Sequence, residues 1–167
     1  MDENLKDLFS RIIEDNKQKI LRICRAYTWN KEDQKDLFQE VALNVWKSLP
    51  SFREEAIIHT WVYRICLNVC MQYALKRNKT KRSWVEIEGI RIVDDNADIH
   101  GNLENKEEIE KLYECISKLN EAEKTLILLF LEDVPYKTIS EIAGMTENNV
   151  AVKLNRIKKK LYTCINN

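Results

Sequence analysis

Apolar residues recur at three- and four-residue spacing along most of this chain. In residues 5–29 they fall at Leu5, Leu8, Phe9, Ile12, Ile13, Ile20, Ile23, Cys24 and Tyr27, which predicts an amphipathic helix. A second pattern over residues 33–49 opens with acidic side chains and puts Leu37, Phe38, Val41, Val45 and Leu49 on one side. Asp36, Gln39, Glu40 and Lys47 gather on the other, and Pro50 ends the helix. Residues 51–60 read as a connection. A third helix over residues 61–79 has a core stripe of Val62, Ile65, Cys66, Val69 and Tyr73, with Trp61, Arg64, Asn68 and Gln72 together on a polar face.

Periodicity stops at residue 83 and resumes near residue 106. The intervening stretch holds two of the three glycines and an Asp pair, and reads as a linker; VEIEGIRIV within it is alternatively one short strand, which would have no partner. A helix over residues 106–117 follows. Asn120 with Glu123 forms a capping-box signature before an apolar run to about residue 132. Pro135 breaks that run, residues 136–143 carry Ile139, Ile142 and Ala143 on one side, and Gly144 supplies a turn. Thr146 is placed to cap a last helix whose buried stripe is Val150, Leu154, Ile157 and Leu161.

With 167 residues, 44% hydrophobic and 32% charged, there is apolar material for one or two small cores, and only 3 Gly and 2 Pro leave few tight turns. The expected class is all-α: two small helical domains joined by a flexible linker, with residues 1–82, 83–105 and 106–167 as domain, linker and domain. No run reaches the roughly 18 apolar residues of a membrane span. The acidic N-terminus is unlike a signal peptide, so no membrane insertion and a cytoplasmic location are expected.

The 27 basic and 27 acidic residues cancel, but they are segregated. Residues 1–50 are neutral, 51–82 carry +5, 83–112 carry −6 and 113–167 carry +1. Two polyanion-facing surfaces separated by an acidic spacer would give this distribution. The +5 block sets Lys76, Arg77, Lys79, Lys81 and Arg82 after the face bearing Trp61, Arg64 and Asn68. Such a face suits stacking on bases and neutralising phosphates, or is a solvated helix end whose basic residues suit the dipole.

Five cysteines, odd in number and without a CxxC pair, argue against a disulfide framework. Cys66 and Cys70 share a helix face; with no second paired motif they read as buried small hydrophobes rather than half a metal site. No metal and no cofactor are expected.

In the last helix Asn148, Asn149, Val152, Asn155, Arg156 and Lys159 point away from the buried stripe, with Lys153 at the flank. Short helix, glycine turn and capped basic helix form a helix-turn-helix pattern, whose second helix offers amides and a guanidinium to base edges and lysines to phosphates. Plain bundles also contain helix pairs with glycine turns, but a face so rich in Asn, Arg and Lys favours DNA.

The stretch DLFQEVALNVWKSLPSF, then HTWVYRICLNV with its trailing basic cluster, resembles the second domain of extracytoplasmic-function sigma factors of the sigma-70 family. YKTISEIAGMTENNVAVKLNRIKKKL resembles the fourth domain of that family. Departures are Gln72 where Asp is common, Lys76 where Arg is common, and Thr138 and Ser140 where Glu and Ala are common.

The resemblance implies a sigma2-like bundle and a sigma4-like helix-turn-helix in a dissociable subunit of RNA polymerase. It implies docking on core RNA polymerase through Asp36, Leu37, Gln39 and Glu40. It implies capture and opening of the minus-10 element through Phe52, Arg53, Ile58, His59, Trp61, Arg64, Asn68, Lys76 and Arg77. Thr146, Asn148, Asn149, Val152, Lys153, Arg156 and Lys159 would read the minus-35 element. An anti-sigma factor is an implied partner, and the free protein is expected to be a monomer. The rival is a conventional helix-turn-helix regulator that acts on duplex DNA without polymerase. An enzyme is not expected, since no GxxxxGK[ST], HExxH or GxSxG occurs.

Overall fold

A computed structural model describes residues 2–53, 57–81 and 103–167. The chain forms two compact units, residues Met1–Val93 and Asp94–Asn167. The linker and strand readings for residues 83–102 lie outside the described residues.

The first unit contains α1 (Asp2–Arg25), α2 (Lys31–Ser48) and α3 (Ile58–Lys81), with a 3-10 turn at Leu49–Ser51 after α2. Each of the three helices packs on the other two. Ile12, Ile20, Ile23 and Cys24 of α1, Leu37, Val41 and Val45 of α2, and Val62, Cys66, Leu67, Val69 and Cys70 of α3 are buried. Each large aliphatic side chain removed from water contributes about 1.5–3 kcal/mol, so these stripes hold the bundle together. Burial on α3 is wider than the predicted stripe: Tyr63, Leu67 and Cys70 are buried as well, whereas Ile65 and Tyr73 are half-buried. A helix covered by two neighbours presents two adjacent faces to the core.

The α1–α2 turn is closed by polar groups. Asn30 caps α2, its Oδ1 accepting from the Asp33 backbone N–H at 2.8 Å. Around the end of α1, side chains donate to backbone carbonyls. Gln34 Nε2 donates to the Leu21 carbonyl at 2.8 Å, Thr28 Oγ1 to that of Cys24 at 2.9 Å, and Arg77 Nη1 to that of Tyr27 at 3.3 Å.

The second unit contains α4 (Leu103–Ser117), α5 (Glu121–Leu131), α6 (Tyr136–Ala143) and α7 (Glu147–Asn166). α7 packs on α4, α5 and α6, and α5 packs on α6. α4 starts at Leu103, so residues expected to close the linker are helical. The predicted capping box is present: Asn120 Oδ1 accepts from the Glu123 backbone N–H at 2.9 Å, and Glu123 Oε2 accepts from the Asn120 backbone N–H at 3.3 Å. α5 is buried from Lys124 through Leu129. Two residues past its end Asp133 holds φ 57°, a left-handed conformation that aspartate tolerates better than most residues.

No framework of disulfides is present among the described residues, but a single pairing that the sequence does not reveal is. Cys115 on α4 and Cys164 on α7 form a disulfide with their Cα atoms 5.9 Å apart. These cysteines are separated by 49 residues, so sequence spacing alone does not reveal that packing α4 on α7 brings them together.

Candidate nucleic-acid and polymerase interface

On α2 the side opposite the core carries Asp36, Gln39, Glu40 and Lys47, all exposed. Leu37 does not belong to this surface, being 1% exposed, and it supports the polar face from beneath. Two apolar residues that the face reading omitted, Leu43 and Trp46, are also exposed on α2. The ring of Trp46 meets Phe9 of α1 edge-on, with centroids 5.3 Å apart.

The connection before α3 is shorter than expected because the helix starts at Ile58, which brings Ile58, His59 and Thr60 into its first turn. Residues 54–56 lie outside the described residues. Phe52, just before that gap, packs on Trp61 with ring centroids 4.8 Å apart and planes at 50°. Arg53, Arg64 and Asn68 are exposed, while Ile58 and Trp61 are half-buried. His59 is exposed but held: its Nδ1 lies 3.0 Å from Asn16 Oδ1. Asn16 is 1% exposed and spends its own N–H on the Ile12 carbonyl at 2.8 Å, so its oxygen accepts and His59 Nδ1 donates. Lys76 is exposed in line with Asn68 and Gln72, and Leu75 lies beside them, 60% exposed.

Arg77 leaves this surface. It lies about 160° around α3 from Trp61 at 100° per residue. Its guanidinium sits 4.8 Å from the centroid of Trp29 and donates to the Tyr27 carbonyl. Burial lowers it from the ordinary arginine value, with Tyr73 and Asp33 opposing. Arg77 therefore closes the α1–α2 turn, a role that counting basic residues along the sequence misses.

In the second unit, Gly144 at φ 67° ends α6, and the Thr146 hydroxyl accepts from the Asn149 backbone N–H at 3.1 Å to start α7. Asn148, Asn149, Val152, Lys153, Arg156 and Lys159 are all exposed, while Val150, Leu154, Ile157 and Leu161 are buried. The basic cluster divides by angle. Lys158 lies over the Phe130 ring, 4.0 Å from its centroid, and Lys160 pairs with Glu123 at the start of α5. That pairing lowers Glu123 below its usual value. Lys158 and Lys160 thus fasten α7 to α5, and Arg156 and Lys159 remain on the outward face.

A half-buried aromatic pair beside exposed Arg and Asn on one unit, and a capped basic helix after a glycine turn on the other, form a constellation suited to DNA. Residues 12–80 match Sigma-70 region 2, and residues 109–161 match Sigma-70, region 4. The chain belongs to the sigma-70 family. It is an RNA polymerase sigma factor of the extracytoplasmic-function type, a transcription initiation factor that works with core RNA polymerase on promoter DNA.

It is 30% identical over 161 residues to RNA polymerase sigma factor SigV of Bacillus subtilis (strain 168), spanning 94% of this chain and 90% of that protein. It is 26% identical over 168 residues to the ECF RNA polymerase sigma-E factor of Haemophilus influenzae, spanning 93% of this chain and 86% of that one. The fold matches a sigma factor RpoE solved with the anti-sigma factor NepR from Bartonella quintana. That match has a TM-score of 0.72 at 14% identity and covers 98% of both chains. Two ordered sigma-70 matches set aside the conventional regulator. No helix among the described residues is long and apolar enough to cross a membrane.

Proposed function

We propose that this sigma factor divides initiation among three surfaces, with residues 1–82 and a second domain that takes in all of α4 from Leu103 onward as its two working domains and the stretch between them as the linker. Asp36, Gln39 and Glu40 on α2 dock on core polymerase. Phe52, Arg53, Ile58, His59, Trp61, Arg64, Asn68 and Lys76 hold the opened minus-10 strand. Thr146, Asn148, Asn149, Val152, Lys153, Arg156 and Lys159 read the minus-35 duplex. The observation that carries this division is the clean sorting of α7, in which every residue assigned to DNA is exposed and the intervening Val150, Leu154, Ile157 and Leu161 are buried.

Asparagine and arginine side chains on such a helix match the donor and acceptor pattern of major-groove base edges, and the lysines add phosphate contacts. Around Trp61 the aromatic pair offers a stacking surface. Opening a base pair costs a few kcal/mol, and stacking the released base repays part of it. The protein supplies binding free energy and positioning rather than catalytic chemistry. It acts in the cytoplasm, where core polymerase and promoters are found, as a monomer when free. An anti-sigma factor is its expected inhibitor, the kind of partner with which the sigma factor RpoE was solved.

The test is run-off transcription by purified core RNA polymerase on fragments of the genome of origin, with and without the protein. Protein-dependent transcripts sharing two upstream elements are expected. Tight binding to duplex fragments by the protein alone, with no new transcripts, would refute the proposal.

A further inference from the structure

Three cysteines on two helices meet inside the first unit. Cys24 lies near the end of α1, and Cys66 and Cys70, one helical turn apart, lie in the middle of α3. Their sulfurs are all within 4.8 Å of one another, and each residue is 0% exposed. Among the described residues no histidine or carboxylate joins the cluster. His59, the histidine on α3, is engaged with Asn16.

We propose that Cys24, Cys66 and Cys70 form a three-thiolate site for a soft, thiophilic cation, with monovalent copper as the fitting occupant. An ion about 2.3 Å from each of three sulfurs in a plane separates those sulfurs by about 4 Å, which lies inside the observed spacing. Zinc in a structural site takes four ligands, and this enclosed cluster offers three. Soft thiolate donors select Cu(I), which is satisfied by fewer ligands than zinc. Binding displaces thiol protons to solvent as the sulfurs become thiolates, so occupancy depends on pH. This departs from the sequence reading of Cys66 and Cys70 as plain hydrophobes. Cys24 is the third donor, and it becomes visible only when α1 packs on α3.

An ion held here ties α1 to α3, the helix that bears Trp61, Arg64 and Asn68. Occupancy of the site therefore stiffens the unit that opens DNA.

The experiment is an anaerobic titration of the full-length protein with Cu(I), in ascorbate, which spares the Cys115–Cys164 disulfide, against the chelator bicinchoninate. X-ray absorption is then recorded on the loaded protein. One Cu(I) per chain is expected, with three sulfur neighbours at about 2.3 Å. Cys24→Ala, Cys66→Ala and Cys70→Ala are each expected to lose affinity at least about tenfold, since even outer-shell changes at metal sites cost that much. Circular dichroism establishes that the variants fold, and the absorption spectrum of the unaltered protein stands if one does not. Copper that stays with the chelator, a spectrum with fewer than three sulfurs or with nitrogen or oxygen neighbours, or a folded single variant with undiminished affinity would overturn the proposal.

Discussion

Phe52 and Trp61 lie with ring centroids 4.8 Å apart across the end of the α2–α3 connection. The pair braces the start of α3, and in the proposed function it offers the surface on which a released base stacks. An aromatic pair contributes about 0.5–1.5 kcal/mol beyond its buried area, while stacking a base on an aromatic ring contributes about 1–3 kcal/mol. Trp61→Ala is therefore expected to impair promoter opening more than Phe52→Ala, because it removes the stacking surface as well as the pair. Permanganate reactivity of unpaired thymines around the start site measures this directly. Equal reactivity in the two variants would take Trp61 out of the strand-holding surface.

Basic residues on α7 divide by position into an outward-facing pair, Arg156 and Lys159, and a pair packed against α5, Lys158 and Lys160, and substitution tests whether the two differ in role. Arg156→Ala is expected to weaken binding to a matched minus-35 element by about 1–3 kcal/mol, the worth of a bidentate base contact. Scrambled DNA should lose less. Lys160→Ala removes the partner of Glu123 and is expected to lower stability by at most about 1 kcal/mol, because the lysine is largely exposed and water screens the pair. Sequence-specific affinity in Lys160→Ala should stay near that of the parent. Titrations on matched and scrambled duplexes, paired with urea melts, decide both cases.

Arg77, which the family resemblance assigns to the minus-10 element, fastens the α1–α2 turn. Arg77→Ala leaves the Tyr27 carbonyl without this donor and uncovers the Trp29 ring. The expected loss is about 1–3 kcal/mol of stability in the first unit, with salt dependence of DNA binding unchanged. A flatter salt dependence in Arg77→Ala would return this residue to the phosphate contacts.

These assignments show where a linear reading stops. The boundaries of α6, the Thr146 cap, the Asn120–Glu123 capping box and the buried stripe of α7 were all legible, because each depends on residues within one helical turn or on one helix face. The contacts of Arg77 with Tyr27 and Trp29 are not legible from its basic neighbours in sequence, because they depend on its angle around α3 and on α1 lying beside it. Leu37 was set on the docking face although its apolar side chain belongs to the core. The Cys24, Cys66 and Cys70 cluster and the Cys115–Cys164 bond need two helices to meet, and periodicity within one helix carries no information about its partner.

Acid should weaken the second unit through Glu123. Its carboxylate is stabilised first by the Lys160 ammonium and then by the Asn120 backbone N–H, so its folded value lies below the ordinary value of 4.5. Between the folded and unfolded values the unfolded chain binds more protons, so stability rises with pH through that window. The contribution is complete above the unfolded value and is lost as pH falls through the folded one. Urea melts from pH 7 down to about pH 3 are expected to show a steeper decline for the parent than for Glu123→Gln, which has no charge to lose. Identical slopes would mean that the Lys160 pair contributes nothing in solution.

Reduction of the Cys115–Cys164 disulfide should loosen the second unit and leave the first unchanged. The bond joins α4 to the C-terminal end of α7 across a separation of 49 residues, so it removes much of the loop-closure entropy of the unfolded chain. For a loop of that size the chain-entropy relation allows up to about 4 kcal/mol. Hydrogen exchange at the buried α5 amides of residues 126–129 reports the opening of this unit, and the buried amides of Val41 and Val45 report the other. Dithiothreitol is expected to accelerate exchange in α5 alone, and Cys164→Ser should reproduce that effect with no reductant added. Acceleration in α2 as well would mean that reductant acts through the first unit. Unchanged exchange in α5 would mean that α4 is held to α7 by packing, with the disulfide adding nothing.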